Sequence, residues 1–549
     1  MVAFIVRDSA LIQNYLQGYT FVKTKELTGG FLIIYTPEDR VDEVTRMSAV
    51  INRSNYPAIV GLMGREALDA SGITQAQQQP FLDLSGRGVL LGFIDTGIDY
   101  TKDAFIYEDG TSKIQFIWDQ SLEGEGPAGY IFGREFTNEQ INGALAGGTR
   151  LETRDTVGHG TFLASVAASR ERNEYAGAAP DSELIVVKLK NANKFTMDFH
   201  KIPPETENAF EATDVMIGVE YILQKALELG RPVAICISVG SNIGGHDGFT
   251  NFEQYLFRIA YRSGVVLCCA AGNEANARHH AEGRIANTGD IEQIEVSVGP
   301  SGGRFAVRLW NNASDRLSVS VTSPTGEMIG RLPVRSGAES RNRLIFERSI
   351  VTISYSFPGG GSGGQQSIVD VQDATPGIWK IVAHGDIIVN GQWNAWLPIT
   401  GFVNPEITFL TPSPNTTIVV PATMAGAITV GAFNSLNKSL YAASSWGPNR
   451  LGVGLPDLTA PGSEVTGTFP TGHGKMEGTG VAAAITAGAC ALLLQWGIVE
   501  KNEERMNSYL ARTYLIRGCD RDRGLEYPNV QWGYGRLNLI NTFRMLRQV

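Results

Sequence analysis

The chain has 549 residues, 43% apolar and 19% charged, with 46 Lys and Arg against 56 Asp and Glu for a formal charge of -10. At roughly 100 to 200 residues per domain this length predicts about three or four domains, and the composition excludes wholesale disorder. The acidic excess argues against nucleic acid or an anionic membrane as the main partner. Five cysteines, an odd number that includes the adjacent Cys268 and Cys269, form no disulfide framework and point to a reducing compartment of synthesis. None has metal-site spacing, and the carboxylate and histidine spacings fit no helix-borne ligand set, so no metal is expected, and no other cofactor is expected either. The apolar run Val2 to Val6 is broken by Arg7 and Asp8, too short for a signal peptide. No apolar stretch of about 18 residues suggests a transmembrane helix.

Taken in chain order, Gly30 to Tyr35 reads as a buried strand, Pro37 opens a helix to about Val50, and Ala58 to Leu62 is a short strand. Together they predict a small βαβ-like unit over residues 1–75. Ser71 to Pro80 is polar and unpatterned and reads as a linker. From Gly88 apolar strands alternate with helices: Val89 to Ile94, a helix after Gly160, Leu184 to Leu189, a helix from Asp214 to Leu229, Val233 to Val239, and Val265 to Ala271. That alternation predicts an α/β fold with a doubly wound parallel sheet. Between Asp290 and Thr423 period-two runs such as Phe305 to Leu309 and Leu317 to Val321 predict an inserted β-sandwich or jelly roll. Gly359 to Gly364 reads as a flexible hairpin loop within it, because no helix start follows. The α/β style returns at Gly426 to Gly431 and ends in helices at Gly480 to Gln495 and Glu503 to Thr513. The core is therefore discontinuous, residues 81–289 plus 424–549.

Four segments could carry chemistry. The strand Leu90 to Ile94 runs into Asp95-Thr96-Gly97, which puts a carboxylate at the C-terminal edge of a parallel sheet, although an Asp near a Gly also suits a turn. His159 stands between two glycines before a small-residue helix, as an exposed general base or as a capping or loop histidine. Asn273, after the strand Val265 to Ala271, is an oxyanion donor or a turn residue. Gly478-Thr479-Gly480-Val481-Ala482 is a glycine-rich helix start. His246, His279 and His280 read as surface or loop residues near a cleft, and Cys268 and Cys269 as core.

In this order Asp, His, Asn and a Gly-Thr-x helix start resemble the subtilisin-like serine proteases (peptidase S8). Gly177-Ala178-Ala179-Pro180, Ser238-Val239-Gly240, Ser444-Ser445-Trp446-Gly447-Pro448 and Pro456 to Gly462 support the resemblance, which covers about 81 to 289 and 424 to 545. It implies that Asp95 orients the base His159, that Asn273 serves the oxyanion, and that Ser238, Val239 and Gly240 line the substrate cleft. The nucleophile's position falls on Gly480. Val481 and Ala484 also depart from the family's usual Met and Pro.

Within the superfamily, a short N-terminal unit and a β-sandwich inserted between the Asn273 and Ser444 motifs resemble the Csp germination proteases of anaerobic spore formers. That family has an active member that cuts a cortex-hydrolase zymogen, and pseudoprotease siblings of the CspC and CspA types that take part in germinant sensing. Gly480 places the chain with the siblings, although the intact His159 departs from the CspC type. The resemblance implies a retained prodomain with its tail in the cleft, a spore-associated location, and a sibling protease or a small germinant as partner. Two alternatives stand beside it: a germination endopeptidase altered at its nucleophile or using Thr479 in its place, and a cleft-blocked peptide-binding module.

Overall fold

The structure, a computed structural model, describes residues 1–45, 55, 59–62, 68–171, 176–359 and 361–546. Phe31–Thr36 is buried along its whole length, so it needs cover on both edges and both faces. Val2–Arg7 and Lys23–Leu27 flank it, both antiparallel. One face holds a small core of Val2, Phe4, Ile34 and Val44, while Ile5, Phe31 and Ile33 pack on the helices Ala212–Glu228 and Asn251–Ile259. The N-terminal unit thus differs from the βαβ arrangement expected from sequence. Its sheet is antiparallel, the Val2 run is its edge strand, and Ile59–Leu62 leaves it to pair elsewhere. The helix expected from Pro37 is present as Val41–Thr45, and its expected continuation over 46–50 lies outside the described residues.

The segment expected to be a linker, Ser71 to Pro80, contains the helix Ile73–Gln77, anchored by buried Ile73 and Ala76 in the main core. An eight-stranded sheet follows, in the order Leu458–Ser463, Ile428–Asn434, Val265–Ala270, Val233–Ile237, Leu90–Asp95, Glu183–Lys188, Ile114–Asp119, Arg134–Thr137. Every pairing is parallel except the last. Alternation along Leu90–Asp95 explains the two helical layers: Leu91 and Phe93 face the helices His159–Ala168 and Thr479–Leu494, and Leu90 and Ile94 face Ala212–Glu228. Thr479–Val499 is long and apolar enough to cross a membrane by length and composition, which corrects the expectation that no such stretch exists. It is a core helix on one face of the eight-stranded sheet, with all of Thr479–Leu494 buried.

The strand-rich block comprises a six-stranded and a five-stranded antiparallel sheet closed over one apolar core that includes Phe305, Val319, Val369, Trp379 and Phe409. It begins earlier than the Asp290 expected from sequence, because His280–Arg284 pairs with Gln392–Trp396 in the larger sheet. Its last strand is Ile407–Phe409. His246 and His280 both stack on Trp396, with ring centroids 4.1 and 4.9 Å away, and His279 Nδ1 lies 2.8 Å from Glu274 Oε2. The three histidines therefore belong to the junction between core and sandwich. All five cysteines are free and buried.

Candidate active site

Asp95 ends the strand Leu90–Asp95, and Ser238 follows the adjacent strand Val233–Ile237. His159 opens the helix His159–Ala168 behind Gly158, whose φ is +89°. Asp155 holds this helix start: one oxygen accepts the N–H groups of Val157 and Gly158 at 3.1 and 2.7 Å. The other accepts the N–H and hydroxyl of Thr161 at 2.9 and 2.7 Å. A Cβ at position 160 would lie 2.2 Å from the Gly97 carbonyl oxygen and 3.1 Å from Asp95 Cβ, so only glycine lets the helix start press against the Asp95 turn.

That approach brings His159 Nδ1 to 2.7 and 2.9 Å from the two Asp95 oxygens. Ser238 donates its hydroxyl to Oδ2 at 2.5 Å, and the Thr96 N–H donates to Oδ1 at 2.8 Å. Burial pushes the Asp95 carboxyl up, but the facing His159 and these hydrogen bonds outweigh it and hold the group below its ordinary range. An anionic Asp95 fixes the Nδ1–H tautomer of His159 and gives Nε2 the basic lone pair, the arrangement a general base needs.

Asn273 lies beyond the next strand, Val265–Ala270. Its Oδ1 accepts the N–H and hydroxyl of Thr479 at 3.0 and 3.2 Å. With the oxygen so engaged, the amide NH2 is the end that can serve a developing oxyanion. Gly480 is buried in the first turn of the helix Thr479–Leu494, which packs on the His159 helix. Asp95, His159, Asn273 and Gly480 thus converge on one sheet edge. An imidazole bound to a carboxylate and a side-chain amide are present there, and position 480 offers no hydroxyl.

Ser238, Val239 and Gly240 divide their work. The Ser238 side chain is turned to Asp95, while Val239 and Gly240 pair antiparallel with Leu62 and Gly61. On its other edge Ile59–Leu62 pairs with Phe210–Glu211, so this tail is the central strand of a three-stranded sheet. Sequence reasoning missed Asp155 and the bond from Ser238 to Asp95. An Asp ahead of Val157, Gly158 and the helix start is a capping signal that could have found the first. The second depends on strands that are not consecutive. Among the described residues no cluster of His, Cys, Asp and Glu could hold a metal ion.

Residues 86–325 and 347–535 match the Subtilase family, Peptidase S8. The chain belongs to the subtilase family. The solved structure of the Clostridium perfringens CspB protease is 30% identical with a TM-score of 0.77, covering 87% of this chain and 97% of that one. The intracellular serine protease of Paenibacillus polymyxa is 22% identical over 249 residues, 45% of this chain and 60% of that protein. The major intracellular serine protease of Bacillus subtilis (strain 168) is 24% identical over 153 residues, 28% of this chain and 39% of that protein. This chain therefore spans less than two thirds of the length of these curated relatives. The interval in this subtilase that the family match leaves out holds Met328–Leu332 and Glu339–Arg343, edge strands of the two sandwich sheets.

Proposed function

We propose that this subtilase is a catalytically inactive member that acts in spore germination by binding, sensing a germinant or controlling a sibling Csp-type protease that activates a cortex hydrolase. Gly480 carries the reading. A glycine at the nucleophile's position has no atom to attack a carbonyl, and removing that serine from subtilisin costs about 10⁶ in turnover. The base alone positions no substitute, because rate depends on a nucleophile held at attacking distance. Without a cut in cis the N-terminal unit stays attached, and Ile59–Leu62 keeps its place between Val239–Gly240 and Phe210–Glu211, closed to other peptides. The likeness to the Clostridium perfringens CspB protease supports the germination setting and, with it, a spore-associated location.

The intact Asp95 and His159 pair favours a second reading, an endopeptidase altered only at its nucleophile. Intact mass of the purified chain beside its Gly480→Ser variant tests both. On the first reading both chains keep full length. On the second the serine variant sheds its N-terminal unit while the parent does not. Cleavage of the parent overturns the inactive reading altogether.

A further inference from the structure

The chain is acidic as a whole, but the interval that the family match leaves out, residues 326–346, is not. With the two residues that follow, it holds Arg331, Arg335, Arg341, Arg343 and Arg348 against Glu327, Glu339 and Glu347, and no other charge. Its last part belongs to the hairpin of Glu339–Arg343 and Ile350–Gly359, on the edge of the six-stranded sheet. Leu344 closes that hairpin: its N–H donates to the Ser349 carbonyl at 2.9 Å, and its side chain is buried in the sandwich core. Ile345, Phe346, Glu347 and Arg348 form the tip.

Hydrogen bonds fix the tip from a neighbouring turn. The two oxygens of Glu327 accept the Ile345 N–H at 2.8 and 2.9 Å, and Oε2 accepts that of Phe346 at 3.1 Å. Glu347 returns the contact, accepting the N–H and hydroxyl of Thr325 at 3.0 and 2.7 Å. Both carboxylates are thus engaged within the loop. The side chains of Ile345 and Phe346 nevertheless stand 80% and 78% exposed, and Met328, next to Glu327, is 69% exposed. Apolar side chains in water add nothing to folding, so a fixed loop that carries them is suited to contact with something else.

The charge beside them is positive. Arg341 and Arg343 share one side of their strand, and Arg348 ends the tip. All three are exposed, and among the described residues none meets a carboxylate. Arg348 has a φ of +63°, where glycine is favoured, so its side chain is carried there at a cost to the backbone. Arg343 is two residues from Ile345, about 7 Å along an extended chain and within the Debye length at physiological salt. Exposed Asp373, on the turn bonded to Ser349, offsets one of the three.

We propose that this tip seats on an anionic lipid bilayer, Ile345 and Phe346 entering the headgroup boundary and Arg341, Arg343 and Arg348 pairing with lipid phosphates. Apolar side chains flanked by guanidinium groups are the make-up of an interfacial anchor. A projecting tip suits a fluid surface that closes around it better than a rigid partner, which needs a matching recess. The net charge of -10 repels the rest of the chain from such a surface, so the contact is confined to this end and reversible. It is independent of Gly480 and of any cleavage.

The test floats the full-length chain with vesicles of phosphatidylcholine alone or with about one third phosphatidylglycerol, at physiological and at about 1 M salt. Binding to the anionic vesicles is expected to be about tenfold stronger or more than to the neutral ones, and to be lost at high salt. Arg343→Gln and Arg348→Gln each weaken it about fivefold. Ile345→Ser/Phe346→Ser weakens it about tenfold or more and leaves the thermal melt unchanged, because both side chains are already in water. Should the serine pair fail to fold, Phe346→Trp reads insertion directly, since brominated lipid chains should quench its added fluorescence. Equal binding to the two vesicles, no binding to either, or undiminished binding of the serine pair overturns the proposal. So does loss of binding in Leu436→Ser, whose side chain is 83% exposed outside the sandwich. Self-association that the serine pair abolishes, with vesicles left unbound, assigns the tip to a second copy of the chain and overturns it too.

Discussion

Thr479 donates its N–H and its hydroxyl to Oδ1 of Asn273, and its own oxygen accepts the Gly272 N–H at 3.0 Å. The single hydroxyl proton is committed to an amide oxygen and a lone pair is held by a backbone donor. Thr479 is therefore a clamp between the helix Thr479–Leu494 and the Asn273 turn, and it does not replace the hydroxyl missing at position 480. The clamp aligns the amide of Asn273 whether or not a reaction follows.

Thr479→Val keeps the shape but leaves the buried Gly272 N–H without its partner and removes one of the two donors to Asn273. The expected loss is about 1–3 kcal/mol of stability. Urea denaturation reads it directly, and Thr479→Ser should keep most of the stability. An unchanged valine midpoint would show that the clamp carries no weight.

Gly160→Ala forces a Cβ to 2.2 Å from the Gly97 carbonyl oxygen, against backbone that has little room to give. Overpacking of this kind costs about 1–3 kcal/mol, and here it also separates His159 from Asp95. Gly143→Ala is the contrasting case, since Gly143 is exposed in the helix Asn138–Leu145 with nothing within 4 Å of a new Cβ. It should stabilise by about 0.5–1 kcal/mol. Thermal melts of the pair should move in opposite directions, and a shared direction contradicts the packing argument.

Two buried groups give opposite pH dependences. Burial, against the Ile418 carbonyl and Trp396, pushes His246 down from 6.5 to about 4. The unfolded chain takes that proton first, so the contribution of His246 is complete above about pH 6.5 and is lost as pH falls toward 4. Burial raises Glu253 from 4.5 to about 7, with nearby Asp247 adding to the effect. Its contribution is complete below pH 4.5 and is lost as pH rises through 7. Each amounts to about 3 kcal/mol over its full window. Relative to the parent, His246→Phe should gain stability as pH falls from 7 to 4.5, and Glu253→Gln should gain as pH rises over the same interval. Urea midpoints across that range, parallel for all three chains, would contradict both assignments.

Much of this was legible because local pattern and local chemistry agreed. The strands ending at Asp95 and before Asn273 are short apolar runs that stop at turn residues, and the helix after Gly158 starts where its glycines allow. What escaped depends on distant partners. Ile73 and Ala76 are only two apolar residues on one helical turn, too few to mark a helix until the core and the C-terminal helix Leu539–Leu546 cover them. Val2–Arg7 reads merely as a short apolar run until Phe31–Thr36 pairs with it. Ile59–Leu62 finds its neighbours at Phe210–Glu211 and Val239–Gly240, well over a hundred residues away, so nothing near it in sequence names these partners, and only the family resemblance set the tail of the N-terminal unit in the cleft. His280–Arg284, with its charged ends and glycine, becomes a strand only beside Gln392–Trp396.

The central claim is that the chain as it stands cannot cut itself, and intact mass of the freshly purified protein and of the same sample after prolonged incubation tests it most directly. The account expects a single species at the full 59.4 kDa at every time. Release of the N-terminal unit from the unaltered chain, with Gly480 in place, would contradict it.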